Sequence, residues 1–251
     1  MTIDLVRATQ DGPVARLTLN DPDHANVLSD AMMAALGEAL AAAQAREDVR
    51  VIVLAAEGRI FCAGHDLGEL RCSDDAAEHA ALFSRCSDLM MAIVTCRAPV
   101  IARVQGAAVA AGCQLVASCD LAYAAESARF AVSGINLGLF CTTPGVALGR
   151  AVGRKAAAEM LLTGRFVSAG RAAELGLINA AVPAAELDAA VNAAATEIAE
   201  KPPEAIALGK AAFRRQMEAG LPEAYAIASR VMTENLAFPS AKAGIDRFLT
   251  R

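Results

Sequence analysis

Two stretches of small residues, each leading into a predicted helix, are the parts of this sequence best suited to chemistry. They are FCAGHDLGEL at Phe61–Leu70 and GAAVAAGCQLVASCD at Gly106–Asp120. Glycine and alanine let a ligand approach the backbone closely, and the first N–H groups of a helix have no partner inside it. Two such N–H groups that converge on one carbonyl oxygen would form an oxyanion hole, which stabilises developing negative charge.

Predicted strands lie before both stretches and would position them. The apolar runs Val51–Ala56 and Val100–Val104 are typical of short buried strands. Nearer the N-terminus, Ile3–Gln10 and Val14–Asn20 alternate apolar and polar residues around an Asp-Gly pair, which predicts a β-hairpin. A further strand is predicted at Leu121–Ala124.

Predicted helices alternate with these strands. Ser29 is predicted to cap an alanine-rich helix that runs to about Arg46. A long helix at Asp74–Cys96 and a short one at Gly112–Ser118 follow. This rhythm of strands and helices predicts an α/β fold, for which a doubly wound sheet is the generic architecture.

After about Val182 the chain is predicted to be wholly helical. The predicted helices are Ala184–Lys201, Pro203–Ala219, Pro222–Asn235 and Ala241–Leu249. Prolines lie at the junctions, where a helix start tolerates them. Since no linker rich in Ser, Gly or charge precedes this region, we expect a core at 1–182 and a helical region at 183–251 within one functional unit.

The composition excludes several classes of function. The 251 residues carry a formal net charge of −5 and no cluster of Lys and Arg, which argues against a nucleic-acid partner. Seven cysteines without CxxC spacing indicate a reducing compartment rather than a disulfide framework or a zinc site. The first residues are too polar for a signal peptide, and no apolar stretch reaches the roughly 20 residues of a membrane span. We therefore expect a soluble, cytoplasmic protein without a metal ion or a membrane partner.

The two stretches resemble those of the crotonase (enoyl-CoA hydratase/isomerase) superfamily, and further segments extend the resemblance over essentially the whole chain. These segments are DPDHANVL at Asp21–Leu28, FAVSGINLGLFCTTPG at Phe130–Gly145, GRKAAAEMLLTG at Gly153–Gly164 and SAGRAAELGLIN at Ser168–Asn179. Within the superfamily, the sequence is most similar to the branch of the enoyl-CoA-hydratase-domain-containing protein 3 of vertebrates and its bacterial relatives.

The resemblance implies a fold, an assembly and a ligand. The implied core is a spiral of ββα turns, and the C-terminal helices are implied to join subunits into a homotrimer or a dimer of trimers. The implied ligand is an acyl-CoA thioester, with coenzyme A as part of the substrate. No separate cofactor is expected, because neither GxGxxG nor HExxH occurs in the sequence.

Mapped residue by residue, the resemblance implies that the N–H groups of His65 and Ala111 form the oxyanion hole. Hydratases of the superfamily carry one glutamate at the position of Gln114 and another at the position of Gly134. Isomerases and dehalogenases place a carboxylate near Thr142 instead. All three positions lack a carboxylate in this chain. Gln114 can position a water molecule but cannot take its proton, and Gly134 is expected to supply only space.

The resemblance also implies a set of residues that line the substrate. They are His24, Ala25, Ala63, Gly64, Asp66, Leu67, Val109, Gly112, Gly134 and Leu137.

Three of the candidate side chains keep alternative interpretations at this point. The His65 imidazole either faces the acyl chain and shuttles protons or is merely packed or solvent-facing. Asp66, three residues before a glutamate, is expected to cap a helix rather than to act in catalysis. The thiols of Cys113 and Cys141 are expected to be buried and inert, with a nucleophilic Cys141 as the alternative.

Three functions fit these residues. The first is an acyl-CoA-processing enzyme, nominally an enoyl-CoA hydratase/isomerase, with weak or altered hydratase activity. The second is a non-catalytic homo-oligomer that binds acyl-CoA in a regulatory role. The third is an acyl-CoA hydrolase that uses a water molecule held by Gln114 or His65.

Overall fold

The computed structural model describes residues 4–250, and within them ten strands and eleven α-helices form. The strands are β1 (Val6–Asp11), β2 (Val14–Leu19), β3 (Val51–Ala56), β4 (Ile60–Cys62), β5 (Val100–Val104), β6 (Ala107–Val109), β7 (Leu121–Ala125), β8 (Arg129–Ala131), β9 (Val167–Ser168) and β10 (Ala180–Val182). The helices are α1 (Asp30–Ala45), α2 (Leu67–Arg71), α3 (Ala76–Thr95), α4 (Ala111–Ser118), α5 (Thr142–Ala151), α6 (Arg154–Thr163), α7 (Ala169–Leu175), α8 (Leu187–Ala199), α9 (Pro203–Met217), α10 (Leu221–Leu236) and α11 (Pro239–Leu249). Short 3-10 helices lie at Pro22–His24, Ser133–Leu137 and Ala184–Glu186.

The strands form two sheets. The larger has the order β1-β2-β3-β5-β7-β10 and is parallel except for β1, while the smaller has the order β4-β6-β8-β9 and is parallel except for β9. After each of β3, β5 and β7 the chain passes into the smaller sheet and then through helix. This path confirms the α/β class and the ββα spiral. The generic doubly wound sheet is wrong, because the strands from β3 to β8 alternate between two sheets.

The apolar run in β3 shows why the core has two layers. All six residues of the strand are buried. Ile52 and Leu54 belong to the main core, whereas Val51 and Val53 pack on the other face with Val191 of α8. Successive side chains of a strand point to opposite faces, so a strand that is apolar throughout needs other elements packed on both faces of its sheet.

Most predicted elements are present, with small shifts at their ends. β1 and β2 form the predicted antiparallel hairpin, although its predicted first residue, Ile3, lies outside the described residues. Ser29 caps α1 as predicted, because its hydroxyl accepts a backbone N–H of the first turn. The helix predicted at Asp74–Cys96 starts later, since the Asp75 carboxylate caps it by accepting the N–H of Ala77.

The short strands β4, β6 and β8 were not predicted. Each has three residues, too few for a period of two to be distinguished from an irregular turn. Pairing with one another makes them strands, and that pairing depends on contacts between parts of the chain that are distant in sequence.

The helical region predicted for 183–251 has two different parts. α8 packs on the larger sheet and is a layer of the core. In α9, α10 and α11 only Ala224 and Ile227 are buried. Large apolar side chains on these three helices are exposed: Phe213, Met217, Leu221, Tyr225, Met232, Leu236, Ile245, Phe248 and Leu249. An ion pair of 2.6 Å between Lys210 and Asp120 joins α9 to the core.

Candidate active site

The pairing of β4 with β6 places the two small-residue stretches side by side. The strands are parallel neighbours, with Ile60 opposite Ala107 and Cys62 opposite Ala108. Parallel neighbours end at the same edge of their sheet. The loop after Cys62 and the loop after Val109 therefore leave the smaller sheet together.

Two glycines allow these loops to touch. Gly64 has a φ of +97°, and a Cβ atom there would lie 3.0 Å from the Ala110 Cβ and 3.3 Å from the Ala111 nitrogen. A Cβ atom on Gly112 would lie 2.2 Å from the carbonyl oxygen of Cys62. The 2.2 Å distance excludes a side chain at Gly112, and the positive φ of Gly64 strains any residue with a Cβ there, so both positions favour glycine.

Ala111 begins α4, and its N–H therefore has no partner inside the helix. The preceding residue, Ala110, has φ 49° and ψ −117°, a conformation that residues with a Cβ rarely adopt. The N–H of Ala110 donates to the Ala131 carbonyl at 2.8 Å and helps to hold this conformation. Strain of this kind costs about 1–3 kcal/mol and persists where the surroundings enforce it.

The His65 nitrogen is two bonds from the Gly64 Cα, and a Cβ atom on Gly64 would lie 3.3 Å from the Ala111 nitrogen, so the two N–H groups belong to loops in contact. The Gly64 carbonyl accepts the N–H of Leu28 at 2.7 Å and fixes the loop against the start of α1. Among residues 4–250, no protein acceptor bonds the N–H of His65 or of Ala111. Two backbone donors on these contacting loops thus remain without a protein acceptor.

Most residues predicted to line the substrate lie on these contacting loops. They are Ala25, Ala63, Gly64, Asp66, Val109 and Gly112. The N–H of Ala63 donates to the Ala25 carbonyl at 3.1 Å, and the two glycines pack the loops against each other. The side chains of His24, Leu67 and Leu137 are exposed, and within the described chain no hydrogen bond joins them to the two donors. His24 instead bonds Asp21 at 2.8 Å, which raises the pKa of His24.

Asp66 caps α2. Its carboxylate accepts the N–H of Gly68 at 2.7 Å and that of Glu69 at 3.3 Å. Glu69, three residues later, does not bond back to Asp66; its carboxylate accepts the N–H of Asp30 at 2.9 Å, at the start of α1. The two acidic residues therefore hold the starts of two neighbouring helices together.

Asn26 positions the first loop and was missed by sequence reasoning. Its fully buried amide donates to the carbonyls of Glu57 and Ile60, both at 2.9 Å, and accepts a backbone N–H of the preceding turn. Ala25 and Asn26 both have positive φ, at 56° and 50°. An asparagine in a tight turn tolerates this conformation, and that was the one available signal.

Gln114 is buried on α4 with an unpaired acceptor. The residue is 4% exposed, and its Oε1 has no hydrogen-bond partner among the described residues. An amide oxygen accepts hydrogen bonds but is not a proton acceptor at neutral pH. Because an unpaired buried polar atom costs about 1–3 kcal/mol, this oxygen is suited to a water molecule or a ligand group.

Gly134 does not supply empty space, which corrects the expectation from the sequence. A Cβ atom there would lie 2.5 Å from the Leu139 carbonyl oxygen and 2.8 Å from the Cys141 Sγ. The loop after β8 folds back so that the N–H of Gly134 meets Cys141 at 3.3 Å. Backbone and thiol thus occupy the volume that a side chain at this position would need.

The two thiols near this loop are buried, as the inert interpretation predicts. Burial raises the pKa of Cys113 to about 12, with neighbouring Cys141 acting in the same direction. Burial also raises the pKa of Cys141, although the N–H of Gly134 partly opposes this. Since the thiolate is the nucleophilic form, neither side chain is poised to attack a thioester at neutral pH.

The His65 imidazole is packed inside the site. Its ring meets that of Phe83 on α3 edge-on, with centroids 5.6 Å apart and planes at 83°. Both ring nitrogens are buried without a hydrogen-bond partner in the described chain. Burial lowers the pKa of His65, and the nearby Leu28 carbonyl and Asp30 carboxylate oppose this without reversing it. The ring is therefore neutral at pH 7.

Residues 4–250 hold no group of three His, Cys, Asp or Glu side chains suited to a metal ion. Within the same residues, no helix is both long and apolar enough to span a bilayer.

The sequence and the structure are both similar to known proteins. A family model described as enoyl-CoA hydratase/isomerase matches residues 9–251. The crystal structure of an enoyl-CoA hydratase from Mycobacterium smegmatis is 54% identical, with a TM-score of 0.96, and the match covers 98% of this chain and 96% of that one. For human enoyl-CoA hydratase domain-containing protein 3 the identity is 43% and the TM-score 0.95, over 98% and 97% of the two chains. The mouse protein of that name is 44% identical over 242 residues, which are 96% of this chain and 80% of its own.

The expected cytoplasmic location is contradicted by these relatives. The mouse, Xenopus laevis and human proteins of this name are all named as mitochondrial. Free cysteines distinguish reducing from oxidising compartments but do not distinguish one reducing compartment from another. The cysteine content therefore does not identify the compartment, and the cytoplasmic assignment is withdrawn.

Proposed function

The chain belongs to the enoyl-CoA hydratase/isomerase family, and we propose that it binds an acyl-CoA thioester between the N–H groups of His65 and Ala111. The thioester oxygen accepts both hydrogen bonds, which stabilises enolate character at the adjacent carbon. The proposal rests on one observation: the loops after β4 and β6 pack together through Gly64 and Gly112, and each carries an N–H group without a protein acceptor.

Hydration of an enoyl-CoA is proposed to be weak in this protein. The reaction needs a base for the attacking water and an acid for the α-carbon, and each such group contributes about 10²–10⁴-fold. Gln114 and Gly134 occupy the positions where the resemblance places these groups, and neither transfers protons. Gln114 is proposed to hold a water molecule through its unpaired Oε1.

Two other functions remain candidates, each with its own supporting observation. A non-catalytic acyl-CoA-binding protein fits the absence of a carboxylate at Gln114, Gly134 and Thr142. An acyl-CoA hydrolase fits a water molecule held near the thioester by Gln114 or His65. No cofactor beyond the coenzyme A of the substrate is proposed.

The proposed assembly is a homotrimer or a dimer of trimers formed through the C-terminal helices. The apolar side chains that α9, α10 and α11 expose support it, because each Å² of apolar surface removed from water contributes roughly 25 cal/mol. Light scattering of the intact chain at micromolar concentration tests it, and a monomer would contradict it.

Loss of one oxyanion donor is the direct test of the proposed site. Ala111→Pro removes this N–H. Because its ring would also press on Gly64 and follow Ala110 at ψ −117°, circular dichroism must first show that the variant folds. We expect a decrease of about 10²–10³-fold in any turnover of an acyl-CoA. Arg154→Pro is the matched control, because it makes the same change at the first position of α6 on the surface.

A screen over enoyl-, β-hydroxyacyl- and saturated acyl-CoA, with calorimetric binding in parallel, separates the three functions. Hydration of an enoyl-CoA would identify a hydratase, and release of free coenzyme A thiol would identify a hydrolase. Binding without turnover would identify a non-catalytic regulatory protein. A complex whose thioester oxygen lies beyond hydrogen-bond distance of both nitrogens would overturn the assignment of the oxyanion hole.

A further inference from the structure

We propose that the His65 imidazole is the base that removes a proton from the α-carbon of the bound thioester. This inference rests on the proposed function, since it requires a thioester whose oxygen is held by the N–H of His65. It assigns one residue two roles: the backbone binds the oxygen and the ring takes the proton. The structure offers three observations that support it.

The first observation is the connection between donor and ring. A carbonyl oxygen that accepts the N–H of His65 at about 2.9 Å is bound to the backbone of the residue that carries the imidazole ring. The α-carbon is bonded to the carbonyl carbon, so it lies near that oxygen in every conformation. No other titratable ring is joined to either donor, because the second donor belongs to Ala111.

The second observation is that both ring nitrogens lack a partner. A buried imidazole in a purely structural role normally donates from one nitrogen and accepts at the other. Neither His65 nitrogen does so within the described chain. The nitrogens are sealed from water by packing that includes Phe83, so the ring must turn or Phe83 must move when an acyl chain enters.

The third observation is that the carboxylates around the ring are already engaged. Asp30 on α1 forms a two-pronged ion pair with Arg85 on α3, at 2.9 and 2.6 Å. Asp66 and Glu69 accept the N–H groups that start α2 and α1. Among these groups the imidazole is the one without a hydrogen-bond partner, and burial lowers its pKa, so it is the base left free to accept a proton.

The proposed step is a reversible proton transfer. The bond between the α-carbon and its hydrogen breaks, and its electron pair forms the carbon–carbon double bond of the enolate. The carbonyl π electrons move to the oxygen, which is stabilised by the two N–H groups. The proton goes to the unprotonated nitrogen of His65. Once the ring has turned towards water it exchanges there with solvent, so in D₂O a deuteron returns to the α-carbon, with water as the one co-reactant.

Exchange of the α-protons of butyryl-CoA in D₂O, followed by proton NMR, tests this step in the intact protein. We expect wild-type protein to catalyse exchange and His65→Ala to slow it by about 10²–10⁴-fold. Calorimetric affinity for butyryl-CoA should change little, because His65→Ala keeps the backbone N–H. His65→Gln, which keeps a polar side chain without a basic nitrogen, should lose exchange in the same way.

The pH dependence gives a second readout. The wild-type exchange rate should rise with pH and level off above the lowered pKa of His65, below 6.5. His79→Ala, a matched change of a histidine whose ring bonds the Leu70 carbonyl, should leave both rate and profile unchanged.

The outcomes separate the inference from the proposed function. Binding without exchange in the wild type overturns the inference, as does exchange that His65→Ala leaves unchanged, and both leave the thioester site intact. Absence of butyryl-CoA binding overturns the proposed function and the inference with it.

Discussion

The two halves of the site differ in how much the fold constrains them. The backbone half, Cys62–His65 with Ala110–Gly112, is held by Gly112, which has no room for a Cβ, and by Gly64 and Ala110 at positive φ. The side-chain half, Gln114, Gly134 and Thr142, carries no charge at any of its three positions. A geometry built from close backbone contacts resists change, whereas the Gln114 side chain can be exchanged for one of the same volume without disturbing the fold.

The largest expected effect comes from disturbing the backbone half. Gly112→Ala places a Cβ atom 2.2 Å from the Cys62 carbonyl oxygen, a clash that neither α4 nor β4 can easily relieve. We expect the free energy of unfolding in urea to fall by about 3 kcal/mol or more. Gly37→Ala on α1 is the matched control, where a Cβ atom meets nothing within 4 Å and should stabilise by about 0.5–1 kcal/mol. An unchanged unfolding midpoint for Gly112→Ala would show that the two loops can move apart at little cost in free energy.

The next largest effect is expected on hydration activity, from a substitution at Gln114 in the side-chain half. Gln114→Glu fits the existing side-chain volume and supplies a base, so hydration of crotonyl-CoA should rise by about 100-fold. The added carboxyl is buried, which raises its pKa, so the variant should lose stability relative to wild type as pH rises from about 4.3 through that pKa.

Gly134→Glu tests the same half at a position that the fold has closed. Its side chain would meet the Leu139 carbonyl, so this variant should lose stability and gain no hydration. A gain equal to that of Gln114→Glu would show that the loop after β8 opens readily.

A smaller effect is expected at Asp66, which lies beside the backbone half without being part of it. Asp66→Ala removes the cap of α2 and should lower the free energy of unfolding by about 1 kcal/mol. Asp66→Asn keeps an acceptor and should retain most of the stability. Turnover per folded molecule should be similar in both, and a selective loss in Asp66→Asn would instead indicate a catalytic carboxylate.

The smallest effect is a pH dependence of stability from His65. Its pKa is lowered in the folded state, so unfolded chains bind the proton more readily and stability falls as pH drops from 6.5 through the lowered pKa. His65→Leu should reduce this dependence in thermal denaturation between pH 7 and pH 5. An identical slope in both proteins would mean that the ring protonates freely in the folded state.

The sequence predicted the elements whose formation depends on residues close together in the chain. The Ser29 and Asp66 caps, the hairpin and the buried run of β3 follow from local hydrogen bonding or from a period of two. It also identified the two stretches with unpaired N–H groups, because small residues before a helix carry that signal in their types. The family resemblance supplied the pairing of His65 with Ala111, which no local pattern contains.

The sequence by itself determined the α/β class, the small-residue turns and the absence of a carboxylate at three positions. Only the tertiary structure decided that Glu69 caps α1, that Asn26 holds the first loop and that Gly134 has no room for a side chain. Each of these depends on an atom contributed by another part of the chain. The distance between such atoms is set by how strands and helices pack, and residue type alone does not specify it.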